Sequence, residues 1–255
     1  MASVGVVPFL TSCGTANDGH IFTVRATAFA TWGSKVVRGS TLIQAAILGG
    51  GRRPTLGQAI VMELTPGKNL YVIMVSRENT SNYGDFYRGA IADAFTYGLT
   101  SPPSLIRPQP ERENTEAKAK YLHSLPTGSM ATYTPKPARR GVHGRKSRPM
   151  IIGFNDDTDP QSAYNVPTME PARAYGQSFK LDRIQFGRLP NDTPLTVTID
   201  QFLPWARQSA TIWAKRSPDY IGPTYPKGIA QSDPRFTIVS GVTRDDFLYL
   251  PGQDL

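Results

Sequence analysis

Between residues 101 and 149 proline and glycine recur too often for any regular element to run through. Pro102, Pro103, Pro108 and Pro110 fall in the first dozen of these residues, and Pro126, Pro135, Pro137, Gly141, Gly144 and Pro149 follow. Each proline fixes φ and removes an amide donor, which excludes residues 101–112 as a regular helix or a central strand. A stretch this long exceeds ordinary connections and reads as an arm between two folded halves, functional or disordered. The chain around it has the composition of a folded protein, with 39% apolar and 19% charged residues. At 255 residues it is long enough to bury a core without staples.

The arm also holds the charge. From Ala117 to Asn155 there are eight Lys or Arg (Lys118, Lys120, Lys136, Arg139, Arg140, Arg145, Lys146, Arg148) and no Asp or Glu, which equals the net charge of +8 and leaves 20 basic and 20 acidic residues elsewhere. Compact charges on backbone broken by Pro and Gly can follow a phosphate chain without fitting a groove, releasing its counterions. Docking on an acidic protein surface and a solvated loop are the other two readings. Tyr121 and Tyr133 are placed to stack bases, although ordinary packing is the commoner use of such residues.

Local patterns predict an α+β chain of three parts, residues 1–100, the arm 101–149, and residues 150–255, with packing of the two halves as one domain left open. Residues 21–32 alternate, with Phe22, Val24, Ala26, Ala28, Ala30 and Trp32 on one face and Thr23, Arg25, Thr27 and Thr31 on the other, a strand. Ser40 is placed to cap a short helix carrying Leu42, Ile43, Ala46 and Ile47. Residues 59–64 and 70–76 form a hairpin about Pro66 and Gly67. A helix follows from Asp85 to Gly98, with rows Phe86, Ala90, Ala94 and Tyr87, Ile91, Phe95. One further strand would complete a ferredoxin-like arrangement in the first half. In the second half strands are expected at 150–154, 178–186, 195–199, 235–239 and 247–250. Between Asp200 and Arg216 a helix starting near Pro204 is expected, with Trp205 and Trp213 in packing roles.

Motifs for chemistry are weak. Gly49-Gly50-Gly51 follows the expected helix instead of opening one, so only Arg52 and Arg53 would meet phosphate there. Asp156, Asp157 and Asp159 lie in a polar turn without the spacing of a calcium loop. Asp18, His20, Glu63 and the Asp156 group are the residues left for a metal-dependent nuclease, without the expected Glu-x-Lys. Cys13 excludes an intramolecular disulfide, being the single cysteine, and its pairing with His20 as thiolate and base has nothing nearby to lower the thiol pKa. Scattered His20, His123 and His143 make no zinc pattern.

The expectation is a non-enzymatic structural protein, a coat or nucleoprotein type of subunit that self-assembles and associates with nucleic acid. Lys136, Arg139, Arg140, Arg145, Lys146 and Arg148 would bind phosphates independently of sequence, with Arg52 and Arg53 adding to them. The partners are nucleic acid and other copies of the chain, with no membrane, cofactor or metal. No run reaches the roughly 18 apolar residues that span a bilayer, and residues 1–13 lack the basic start of a signal peptide, so a cytoplasmic or virion-type setting is expected. The alternatives are a single-copy RNA-binding subunit of a ribonucleoprotein and the nuclease.

Overall fold

The first strand, β1 (Ile21–Trp32), carries the expected alternation: Phe22, Val24, Ala26, Ala28, Ala30 and Trp32 are buried and the intervening side chains take the other face. The computed structural model describes residues 21–46, 55–76, 84–97, 119–135, 149–159, 162–168, 172–207 and 248–249. After β1 the chain reverses at Gly33, whose φ of +59° is left-handed and costs glycine nothing, and returns as β2 (Lys35–Ala46).

That strand replaces the helix expected after Ser40. Leu42, Ile43 and Ala46 fit a helical row, but Val37, Thr41, Ile43 and Ala45 fit a period of two equally well and are buried. The twelve-residue β1 decides between them, pairing from Ile21 against Ala46 to Trp32 against Lys35. A long partner strand outweighs local helix preference, which is a weak bias.

Further along come β3 (Leu56–Gln58), β4 (Ile60–Thr65), β5 (Lys68–Val72), β6 (Val75–Ser76) and β7 (Gly84–Asp85). The helix α1 (Phe86–Tyr97) follows, and residues 119–124 form another short helical segment. Past it lie β8 (Met130–Tyr133), β9 (Ile151–Phe154), β10 (Ala163–Val166), β11 (Ala172–Ala174), β12 (Gln177–Arg188) and β13 (Leu248–Tyr249). The predicted hairpin is present as β4 and β5, turning at Pro66-Gly67 with Gly67 at φ +75°. Helix α1 buries both predicted rows, and its Phe95 meets Phe22 edge to face at 5.5 Å.

The α+β, ferredoxin-like expectation is overturned: the described residues are mostly β, in two large antiparallel sheets and the small pair of β6 with β7, with only two short helices. The larger sheet, in the order β11-β12-β1-β2-β3-β13 with β8 also on β12, curls as a half-barrel. The smaller has the order β10-β9-β5-β4. Residues 193–198 form no strand, and only the 3-10 turns Ile199–Gln201 and Pro204–Arg207 stand where the second-half helix was expected to begin. Pro204 does open its turn, as expected of that position. The continuation 208–216, Trp213 and the strand at 235–239 lie outside the described residues. Strands from before and after the arm pair directly in both sheets, β12 with β1 and β9 with β5.

One close approach joins the sheets. On the inner face Gly39 is paired with Ala28, between Ala26 and Ala30, and this floor of small residues admits the backbone of β4. A Cβ on Gly39 would run into the Val61 carbonyl oxygen. Ile60, Met62 and Leu64 of β4 then fill the core with Leu70, Val72 and α1. The far face of the smaller sheet is buried too: Tyr71, Ile73, Ile152 and Phe154 pack against Ile199, Leu203 and Trp205. A second joint is Tyr175, held at φ +50° in the β11–β12 turn. Its hydroxyl lies 3.0 Å from the Asn69 carbonyl and 2.9 Å from the Phe154 carbonyl, tying the larger sheet to the smaller. Gly39→Ala must push backbone against backbone and is expected to cost about 3 kcal/mol. The opposite change in the same pair, Ala28→Gly, should cost only about 1 kcal/mol. Urea denaturation of both variants checks the difference.

Candidate nucleic-acid interface

The described residues fix both ends of the basic segment. On one side β8 pairs with β12, and Tyr133 is buried with its ring edge on Phe86 at 5.6 Å. On the other, Met150 is buried and its carbonyl accepts from the Ile73 amide at 3.1 Å. The segment therefore leaves from the larger sheet and returns to the smaller one. Lys136, Arg139, Arg140, Arg145, Lys146 and Arg148 themselves lie outside the described residues, as do Lys118, Arg52, Arg53, Cys13, Asp18, His20 and His143. Lys120 is exposed on the 119–124 helical segment. Tyr133 packs in the core and the half-buried Tyr121 packs against it, the ordinary role.

The acidic turn after β9 is a folded polar turn. The Asp156 carboxylate accepts from the Thr158 hydroxyl at 2.7 Å and the Thr158 amide at 2.8 Å, and these donors lower its pKa. Ser162 closes the loop by donating to the Asp156 carbonyl and accepting from its amide. Asp157 instead turns inward: its carboxylate accepts from the Asn69 side-chain amide at 3.0 Å, and its carbonyl from the Trp205 indole at 2.9 Å. Trp205 is buried with its ring edge on Phe154, as its expected packing role requires.

Burial raises the Asp157 pKa above the ordinary carboxylate value, an effect that donors from Asn69 and Tyr71 partly offset. The same burial pushes the hydroxyls of Tyr71, Tyr164 and Tyr175 upward, with the Asp157 charge adding to each. This network of neutral hydroxyls and one shielded carboxylate pins the two sheets and offers no open nucleophile. Glu63 is exposed on β4 opposite Asn69. Among the described residues no three His, Cys, Asp or Glu come together to hold a metal ion.

Sequence reasoning missed the outer face of the larger sheet. Cross-strand pairing sets one row across it as Arg38, Phe29 and Arg183, from β2, β1 and β12. The neighbouring rows are Ser40, Thr27 and Gln185, then Leu42, Arg25 and Gly187. The Arg183 guanidinium lies over the Phe29 ring at 4.2 Å. A bulge between Phe29 and Ala30 brings Asp182 to this face, where it accepts from the Thr31 hydroxyl at 2.9 Å and pairs with Lys180 at 3.1 Å. The legible signal was Phe29, an aromatic residue in the polar register of a strand whose other register is core. Arg188, by contrast, serves the fold, donating to the Leu122 and His123 carbonyls and so closing the end of the 119–124 segment.

No protein family, curated protein or solved structure matches the chain. The chemistry of its own residues therefore carries the functional reading.

A carboxyl whose pKa is higher folded than unfolded binds more protons in the folded state between the two values. It thus favours the fold increasingly as pH falls through that window toward the unfolded value of about 3.9. Asp157→Asn removes this contribution. Relative to the parent, the variant should stand best at pH about 7 and lose ground as pH approaches about 4, as read from urea midpoints. The opposite trend would mean that the hydrogen bonds to the carboxylate outweigh its burial.

Proposed function

We propose that the chain is a non-enzymatic structural subunit of the coat or nucleoprotein type, which self-assembles and holds nucleic acid through its basic arm. The observation that carries this reading is the confinement of the whole net charge of +8 to residues 117–155. The anchoring of that segment's ends in different sheets supports it further, because a loop fixed at both ends loses less entropy on binding than a free tail. Phosphate contacts of this kind position a nucleic acid without reading its sequence. The exposed carboxylates of the Asp156 turn would give the arm of a neighbouring copy a counter-charge. The setting is the cytoplasm or a virion-type assembly.

The test is binding of fluorescein-labelled, mixed-sequence single-stranded RNA and DNA, followed by anisotropy over a range of salt. In the parent, log K should fall linearly with log salt. Changing Arg139, Arg140, Arg145, Lys146 and Arg148 to Ala should weaken binding at least about tenfold at moderate salt. It should also reduce the slope by about 3.5, at roughly 0.7 for each single-strand phosphate no longer neutralised. Binding equal to that of the parent would overturn the proposal.

A further inference from the structure

The outer face of the larger sheet bears Arg25, Arg38, Arg173, Lys180 and Arg183, and Asp182 is the one carboxylate on the described strands of that face. Asp182 is already engaged by Lys180 and Thr31. Arg25, Arg38 and Arg183 meet no carboxylate within ion-pair distance among the described residues, and all three are exposed. At the centre stands Phe29, half-buried and flanked directly across both neighbouring strands by Arg38 and Arg183. A sheet needs no phenylalanine in its solvent register for folding, since Thr27 and Thr31 fill the equivalent places beside it. The exposed apolar residues among those described, Ile21 (39%), Val36 (76%) and Met130 (64%), lie on the same face.

We infer that this face is a second binding surface of the subunit, a stacking platform for single-stranded nucleic acid centred on Phe29. This inference rests on the nucleic-acid reading of the arm. A base stacks on the Arg183 guanidinium, which lies over the Phe29 ring and is backed by it. Arg38, directly across from Phe29 on β2, then meets a flanking phosphate. Arg25 extends the track about 13 Å along β1, four residues away. Stacking accepts every base and phosphate pairing reads none, so this contact, like the arm, is independent of sequence. A second copy is disfavoured as occupant, because a two-fold contact of this patch with itself would set like charges against each other.

The experiment compares labelled oligo(dT) binding by the full-length parent, the five-residue arm variant, Phe29→Ala, Phe29→Tyr, and a triple variant Arg25→Gln, Arg38→Gln, Arg183→Gln, each first checked for an unchanged circular dichroism melt. The triple variant should bind at least about tenfold more weakly, with a salt slope lower by about 2. Phe29→Ala should weaken binding about fivefold or more with the slope unchanged, and Phe29→Tyr should restore it. If Phe29→Ala melts early, the triple variant decides, because it alters only exposed side-chain ends. Loss of binding in the arm variant with parental binding in all face variants would overturn this inference and leave the arm reading standing. A parent that binds no oligonucleotide would overturn both. Face variants that change the particle mass while leaving oligo(dT) affinity intact would assign the face to contact between copies, which also overturns it.

Discussion

The backbone of β4 lies against the inner face of β2 at Gly39, and the rest of the fold depends on that approach. It is possible only because the floor beneath is built from Ala26, Ala28, Ala30 and a residue without Cβ. Larger residues there would hold the sheets apart, and Ile60, Met62 and Leu64 would lose the cavity they fill with Leu70, Val72 and α1. Since β3 and β4 are separated by Ala59 alone, the chain changes sheets within one residue. The strands that follow the arm complete sheets begun before it, β12 beside β1 and β9 beside β5. At a second joint Tyr175 accepts a left-handed conformation, at a cost of roughly 1 kcal/mol or more, and bridges the same two sheets.

Interleaving has a consequence for the basic segment. A linker between independent halves would be free to move with them, whereas here β8 and β9, on either side of it, are fixed in different sheets of one core. The described ends of the charged segment are thus held at defined places in the fold. The same arrangement turns Phe22, Val24 and Trp32 of β1 inward and leaves Arg25 and Phe29 in its other register. Arg25, Phe29 and their neighbours on β2 and β12 stand on a surface that the core does not need. Affinity for a polyanion arises from such surfaces by adding weak, salt-dependent contacts.

Much of the local structure was legible in the residues. The alternation from Phe22 to Trp32 announces β1, Pro66-Gly67 announces its hairpin, and the paired rows beginning at Phe86 and Tyr87 announce α1. Ambiguity arose where one set of residues fits two periods: Leu42, Ile43 and Ala46 satisfy a helix, while Val37, Thr41, Ile43 and Ala45 satisfy a strand, and only pairing with β1 chooses. That pairing is tertiary information, and the error it corrects propagated into the whole α+β expectation. The candidate site divides in the same way. Local charge density makes the arm visible without a fold, but the row of Arg38, Phe29 and Arg183 is assembled from positions 9 and 154 residues from Phe29 and exists only once strands pair. Asp157 was legible as acidic, yet its inward turn toward Asn69 and Trp205 depends on partners 88 and 48 residues away.

The central claim is that this β fold carries nucleic acid and assembles around it. Light scattering on the purified full-length protein, at low and high salt, with absorbance at 260 and 280 nm across the same peak, tests it most directly. The account predicts a large species with excess absorbance at 260 nm that loses nucleic acid as salt rises, since screening removes the phosphate contacts first. A monomer free of nucleic acid at both salt concentrations would contradict it.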